Sequence, residues 1–312
     1  MTPEPDDQIF SVGYRKLPAT PRRRWAPWPI ARTALDLALR KRSTKLAAGF
    51  CAMVFFTSGI VLITQVIIGR LAQFMGKGGS ASQMAGVAAR AVVGDTHEAL
   101  STFIGTQLFT TAVLLGIAVG GIIADDRRTG AFELYFSRPL SKMHYAQGKL
   151  LAVAIVPVCT IVLPFLALWL AAVGIAPAVV GKELVGLVVP GLITALLATT
   201  LLATTIVGVS SIGERGRTVA ILYVSLFVIL AAMGGGLAEA GYPAAGYLAP
   251  QRDLQTVADE LLGVGGVSMT ASYLDIRHPN NASALMSALA LLGYSAIGLG
   301  LFVARLRKQV VG

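Results

Sequence analysis

The sequence predicts an all-α polytopic membrane protein with six transmembrane helices and an N-terminal interfacial helix. Three observations support this fold class: 55% of the residues are hydrophobic, only 13% are charged, and long stretches of the chain carry no charge. An ordinary soluble domain has about 25% charged residues and places polar residues on the outer face of every helix. Because whole segments of this chain lack them, lipid is the expected solvent of those segments.

Six apolar runs are long enough to cross a bilayer, which takes roughly 20 residues in a helix. None of the runs contains Asp, Glu, Lys, Arg or His. They are Leu46–Ile68, Phe103–Ala124, Leu150–Val173, Leu184–Ile212, Thr218–Ala238 and Ala284–Ala304. The runs define a membrane domain over residues 46–304, preceded by a tail of residues 1–45 and followed by a short tail of residues 305–312. Pro157 and Pro164 predict a bend in the third run, and Pro190 a kink near the start of the fourth.

The distribution of Lys and Arg predicts the orientation. With the N-terminus inside, the inner segments hold 20 of the 26 basic residues. Positive charge accumulates on the cytoplasmic side of membrane proteins, so both termini are expected in the cytoplasm and the chain in a bacterial inner membrane. Anchoring beside anionic lipid then accounts for the net charge of +10, and no nucleic-acid partner is expected. The first apolar run lies behind a long basic segment, which predicts a retained anchor rather than a cleaved signal peptide.

The segments flanking the runs carry a weaker pattern. Residues 1–28 are polar and rich in Pro, which predicts disorder. Residues 29–45 place apolar side chains at helical spacing between charged ones, which indicates either a helix lying in the interface or a plain extension of the first span. In the two long outer connectors, Ser82–Val93 and Leu254–Leu262 look like short amphipathic helices.

Several chemistries are not expected on this chain. Cys51 and Cys159 lie in apolar runs and the three histidines lie in different connectors, so no metal site is predicted. No phosphate-binding loop is present, so any ATP hydrolysis must come from a partner. A proton- or sodium-coupled transporter usually carries acids or histidines at midplane, and an intramembrane enzyme needs a base; the spans have neither. We therefore predict that the chain is not an enzyme and holds no cofactor.

The connector of residues 125–149 is far longer than a tether between two helices needs to be. Gly130 can end the preceding helix, and Pro139 closes the short apolar turn that follows. That turn presents aromatic side chains flanked by Glu133 and Arg138, a pattern typical of interface hot spots. The residues alone leave two interpretations open: a docking element for a partner protein, or an amphipathic loop that faces lipid.

The same connector resembles the signature of type-2 ABC exporter permeases. The matching residues are the acidic Asp126, the polar Arg127, Arg128 and Thr129, then Gly130, the second acid Glu133, Pro139 with Ser141 and Lys142, and the final Gly148 and Lys149. Ala131 stands where the signature has Thr, and Lys142 where it has Arg. The six-span layout, the N-terminal helix and the long last outer connector are similar to the family over the whole chain. The amino-acid sequence from Glu133 to Pro139 is most similar to that of the branch associated with multicopper-enzyme maturation.

The resemblance implies a permease subunit that pairs with a second permease copy, as a homo- or heterodimer. Each copy would dock a cytoplasmic ABC ATPase through a coupling helix, giving two ATPase copies per transporter, with ATP and Mg²⁺ bound by the ATPase. The implied docking residues are Asp126, Arg127, Arg128, Gly130, Phe132, Glu133, Tyr135, Phe136, Arg138 and Pro139. The expected activity is export by alternating access. A membrane scaffold or mechanotransmitting anchor for an ATPase is the alternative function.

Polar residues inside the spans are hydroxyls and amides. Their ordinary role is hydrogen bonding between helices, while a minority could line a substrate path. The candidates for that path are Thr106, Gln107, Thr110 and Thr204. An uncharged, hydroxyl-rich lining would suit an amphipathic or lipid-like substrate.

Overall fold

The computed structural model describes residues 27–75, 81–131, 142–176, 178–264, 281 and 283–308. Within these residues the chain is helical, with short turns between helices and no strand. The helices, numbered in chain order, are α1 Pro27–Arg40, α2 Arg42–Met75, α3 Ala81–Val119, α4 Ala124–Arg128, α5 Lys142–Pro157, α6 Leu163–Ile175, α7 Ala178–Val185, α8 Val188–Ile212, α9 Gly216–Glu239, α10 Pro250–Leu262 and α11 Ala284–Lys308. A π-helical turn, Val158–Val162, joins α5 to α6, and a 3₁₀ turn, Pro243–Leu248, precedes α10.

Six helical segments of the described chain are long and apolar enough to cross a membrane, which confirms the predicted fold class of a multi-pass, all-α membrane protein. They are Arg42–Ile68, Asp95–Arg128, Met143–Ile175, Gly181–Ile212, Gly216–Glu239 and Ala284–Arg307. We call the end of the bundle where α2 begins and α11 ends the basic end, and the other end the distal end.

The second span is the centre of the bundle. Its most apolar stretch is 83% buried, against 17% for that of the first span. The helix α3 packs against α2, α5, α6, α8 and α9, while α11 packs on the far side of α8. Small residues permit the closest crossing: a Cβ built on Gly208 would lie 2.5 Å from the carbonyl oxygen of Gly298. Helix association in lipid relies on such close backbone approach.

Three elements differ in detail from the sequence predictions. Ser82–Val93 is not a separate short helix, since α3 runs unbroken from Ala81 to Val119. The fourth run breaks at the turn of Gly186 and Leu187, and Pro190 sits in the first turn of α8, where a missing backbone N–H costs nothing. The predicted bend in the third run takes the form of the π-helical turn between Pro157 and Pro164.

The N-terminal helix α1 is separate from the first span, because the chain breaks at Lys41 before α2 begins. It packs mainly against α5 rather than α2, and it buries Pro27, Ile30, Ala31 and Ala38. The plain extension of the first span is therefore wrong. Its position at a lipid interface stays a prediction.

Candidate functional site

The chain leaves α3 through a tight turn at the basic end of the bundle. Glycines make this path sterically accessible: a Cβ on Gly216 would lie 2.8 Å from the Cα of Gly121, and a Cβ on Gly121 would lie 3.2 Å from the Cα of Gly216. Real Cβ atoms essentially never come within 3.0 Å of a heavy atom in this way, and a contact of 3.2 Å is tighter than most. The segment that leads into the long connector therefore passes directly over the first turn of α9.

Ser210, in the last turn of α8, fixes the same turn by three hydrogen bonds. Its Oγ accepts from the backbone N–H of Ile123 at 3.1 Å and of Ala124 at 3.4 Å, and it donates to the Gly120 carbonyl at 2.8 Å. Backbone groups at a helix end lack intrahelical partners and must find them elsewhere. One buried hydroxyl supplies them here, so the start of α4 is attached to the fourth span.

Arg127 extends this attachment. Its guanidinium donates to the backbone carbonyls of Ser211 at 3.1 Å, Ile212 at 3.4 Å and Gly213 at 2.5 Å. These carbonyls end α8, where the helix dipole is negative and the carbonyl groups are unpaired, so a cation is favourable. The planar fork of an arginine can serve several such acceptors at once.

Asp126 is attached to the third span instead. Its Oδ2 lies 2.6 Å from the Lys149 Nζ and accepts a hydrogen bond from the Tyr145 hydroxyl at 2.8 Å. Lys149 also donates to the Ile122 carbonyl at 2.8 Å, and it is only 4% exposed. Charges taken out of water are tolerated when each has an opposite charge and further hydrogen bonds. Both conditions are met, so Lys149 joins α5, α4 and the turn after α3.

The helix α1 lies against the same part of α5. A Cβ on Gly148 would lie 2.8 Å from the Ile30 Cβ and 3.0 Å from the Pro27 carbonyl oxygen. The glycine that precedes Lys149 therefore lets α1 approach the backbone of α5 closely. The N-terminal helix, the third span and the start of the connector form one packed unit.

The structure brings together part of the predicted docking set. Asp126 and Arg127 contact two different spans, while Arg128 and Gly130 are exposed at the surface, Gly130 with a left-handed φ of 68°. The other predicted docking residues lie outside the described residues: Phe132, Glu133, Tyr135, Phe136, Arg138 and Pro139. Sequence reasoning missed the contributions of Tyr145, Ser210 and Gly216. Two signals were available in the sequence: the hydroxyl of Ser210 in the last turn of a span, and Gly216 just after the charged residues of a connector.

The candidates for a substrate path divide by burial. Gln107 and Thr110 are buried, and the Gln107 Nε2 donates to the Cys51 carbonyl of α2 at 3.4 Å. Thr204 is half-buried and donates to the Thr200 carbonyl of its own helix at 2.8 Å, whereas Thr106 is exposed. Two of the four residues therefore take part in packing between α2 and α3, and a role of all four in a path stays a prediction.

Within the described ranges, no group of three or more His, Cys, Asp or Glu side chains could hold a metal ion. No protein-family model matches the chain, and no curated protein matches its sequence.

Proposed function

We propose that this chain is the permease subunit of an ATP-driven ABC exporter. In this proposal a separate cytoplasmic ATPase docks on the connector of residues 125–149 and drives the spans between inward-facing and outward-facing states. The observation that carries the proposal is the double attachment of α4, the helix that opens the connector. Arg127 holds it to the end of α8, and Asp126 holds it to Lys149 of α5.

The double attachment suits a segment that transmits force. A loop that only brushed lipid would need no rigid link to the bundle, and loops at membrane surfaces are ordinarily mobile. A displacement of α4 would instead pull on the third span through a buried ion pair and on the fourth through three hydrogen bonds. Rigid elements joined by such networks are what couples distant sites in proteins.

The remaining parts of the proposal come from the sequence. The excess of Lys and Arg on the basic end supports a cytoplasmic position for that end, where ATP and an ATPase would be found. Since the chain has no phosphate loop, ATP and Mg²⁺ would bind the partner. The transporter would hold two permease copies in a bacterial inner membrane, and its substrate would be amphipathic or lipid-like, in keeping with spans that lack charge.

A charge reversal at Glu133 tests the docking site. If Glu133 faces a basic surface of the ATPase, Glu133→Lys would place like charges together at a packed contact, which can cost several kcal/mol. We expect the variant to reach the membrane in normal amount and to lose the co-purifying ATPase. Arg138→Glu should weaken docking through the same surface.

The matched control is Glu214→Lys, because Glu214 is exposed on the short connector between α8 and α9 at the same end of the bundle. It makes the same charge change on a different connector, outside the predicted docking residues. Recovery of equal ATPase with wild type, Glu133→Lys and Glu214→Lys would contradict the proposal. If Glu133→Lys loses the ATPase while the wild-type complex transports no substrate, the scaffold function is favoured instead.

A further inference from the structure

The helix α10 is an unusual element at the distal end of the bundle. It lies outside the six spans, yet it packs against α3, α8, α9 and α11. Its apolar face is buried through Leu254, Val257, Ala258 and Leu262. Gly263, with a φ of 68°, ends it in the left-handed conformation that commonly terminates helices. The helix therefore covers the distal end of the membrane domain.

A buried carboxyl lies in the first turn of this helix. Asp253 is 0% exposed, and its Oδ1 accepts a hydrogen bond from the Asn281 Nδ2 at 2.7 Å. Its Oδ2 is also buried and has no hydrogen-bond donor within the part of the chain that the structure describes. Among the described residues, the hydrogen bonds offered to this carboxyl thus come from neutral side chains, the Asn281 amide and the Ser287 hydroxyl.

Asn281 connects this carboxyl to the start of α11. Its side-chain Nδ2 also donates to the Ser287 Oγ at 3.1 Å, and its backbone N–H donates to the Thr256 Oγ1 at 3.0 Å. The group of Asp253, Thr256, Asn281 and Ser287, which we call the distal cluster, therefore joins α10 to α11. Any change in the charge of Asp253 acts directly on this junction.

Burial makes the charged form of Asp253 unfavourable. An ionised carboxylate without water or a full set of donors costs several kcal/mol, and such groups take a proton instead. Burial raises the pKa of Asp253 to about 7, although Ser287, Asn281 and the Arg252 charge lower it in part. A second carboxyl on α10 shows the contrast: Asp259 accepts hydrogen bonds from Ser101 of α3 and, at 2.8 Å, from the Gln255 Nε2.

Among the residues that the structure describes, no cation forms an ion pair with Asp253 as Lys149 does with Asp126. Arg252 is the neighbour on the helix itself, and α11 contributes Tyr294, whose hydroxyl donates to the Leu248 carbonyl at 3.2 Å. No residue of α8 is ionisable. Among the side chains that the structure describes, the remaining ionisable groups at the distal ends of the packed elements are Asp95, His97 and Glu98 on α3, Glu239 on α9, Tyr247 in the 3₁₀ turn, and Asp259 and Glu260 on α10 itself.

We propose that Asp253 is a proton-binding site whose proton keeps α10 seated on the distal end of the bundle. With the proton bound, the distal cluster is neutral and joins α10 to α11. When the proton leaves, a charge remains in a buried junction where the described hydrogen-bond donors are neutral, and α10 moves outward to hydrate it. The inference is independent of the proposed exporter function, since neither an ATPase nor a substrate enters it.

Cysteine accessibility in the full-length protein in membranes tests the proposal. Cys51 and Cys159 are first replaced by Ala, and a reporter is introduced by Val257→Cys on the buried face of α10. A control is introduced by Leu261→Cys, at a residue of the same helix that is 39% exposed. The ratio of the two labelling rates removes the pH dependence that both thiols share, and the same ratio in Asp253→Asn corrects for the higher pKa of the buried thiol. We expect this ratio to rise at least about threefold between about pH 5.5 and about pH 8.5.

Asp253→Asn decides between a bound proton and an ion pair with Arg252. The amide imitates the protonated carboxyl, so the ratio should stay low at both pH values. If Asp253 works as an anion paired with Arg252, the same substitution should raise the ratio at both pH values, and the proposal is overturned. A wild-type ratio that does not change with pH also overturns it.

Hydrogen exchange of backbone amides tests the same movement of α10 without a reporter cysteine. The amides of residues 252–262 in the unmodified chain should exchange faster at high pH, after correction for intrinsic rates, and those of Asp253→Asn should not. Equal protection of wild type and Asp253→Asn at high pH would contradict the proposal even if Val257→Cys disturbed the packing.

Discussion

Two carboxyls, one at each end of the bundle, show how differently a membrane protein can treat the same chemical group. Asp126 lies at the basic end with 19% of its side chain exposed, and it has both a cation and a phenol hydroxyl as partners. Asp253 lies at the distal end, fully buried, with neutral hydrogen-bonding neighbours and one oxygen that lacks a described partner. The supply of donors differs more than the degree of burial does.

The difference determines how each end responds to conditions. A carboxylate paired with a buried lysine keeps its charge, and the pair holds two helices together as long as both partners remain. A carboxyl without a cation keeps its place by holding a proton, and that proton can leave. The basic end is therefore built for a constant connection between helices, while the junction of α10 and α11 is sensitive to pH.

Removal of the cation at the basic end should have the largest effect. Lys149→Met keeps the length of the side chain but leaves Asp126 without its counter-ion and the Ile122 carbonyl without its donor. Breaking one side of a buried pair costs about 3–5 kcal/mol, so a clear fall in the melting temperature of the detergent-solubilised protein is expected.

Two variants control for this prediction. Lys182→Met makes the same change at an exposed site on α7 and should leave the melting temperature unchanged. Asp126→Asn combined with Lys149→Met removes both charges and should recover part of the loss, since the orphaned charge is the main cost. If Lys149→Met melts like Lys182→Met, Asp126 does not depend on its cation and the comparison fails.

A smaller effect is expected at the distal end, and only at high pH. The pKa of Asp253 is raised from its ordinary value near 3.8 to about 7, so the folded protein binds this proton more tightly than the unfolded chain. Stability is then full below about pH 4, falls as the pH rises to about 7, and is level above that. Asp253→Asn should remove this fall.

Melting temperatures of wild type and Asp253→Asn at two pH values measure this fall in stability. A shift of this size corresponds to about 4 kcal/mol, and relaxation of the surroundings reduces it, so we expect Asp253→Asn to be more stable than wild type by about 1–2 kcal/mol at pH 8. The two should be equal at about pH 4. Asp36→Asn, at an exposed site on α1, controls for the loss of one carboxyl. A destabilised Asp253→Asn at high pH would show that the charge is needed.

Much of the fold follows from the sequence because lipid imposes a simple rule. Runs of about 20 uncharged residues must be helical, so the spans were predictable with small errors at their ends. The connection of Ser82–Val93 to the second span was not predicted, because the polar residues before Phe103 look like a connector. Ser101 in fact faces the polar side of α10, where it donates to Asp259. A polar residue in a long helix is tolerated when another element satisfies it.

The contacts of the site were less predictable than the spans. Asp126, Arg127 and Lys149 could be selected from a motif, but their partners could not, because a pairing across 23 residues depends on how two spans pack. The distal cluster was missed altogether. In the sequence, Asp253 looks like any acidic residue in the first turn of a helix. Its burial depends on how α10 packs against the bundle, which the sequence does not show.

The smallest effect in this comparison is expected from Arg127→Lys. The substitution keeps a cation near the end of α8 and therefore keeps the favourable interaction with the helix dipole. It loses the fork that serves three carbonyls, of which a single ammonium can reach fewer. Because each lost hydrogen bond can be replaced by water at this half-exposed site, we expect a loss of about 1 kcal/mol in the free energy of unfolding.

Arg128→Lys is the matched control for Arg127→Lys, since the neighbouring side chain is exposed and the change is chemically identical. It should leave the melting temperature in detergent unchanged. A loss as large as that of Lys149→Met would mean that the attachment to α8 contributes as much to stability as the buried ion pair does. Equal melting of the two arginine variants would mean that the fork of Arg127 adds little to the attachment of α4 to α8, and that this attachment rests on the hydrogen bonds of Ser210.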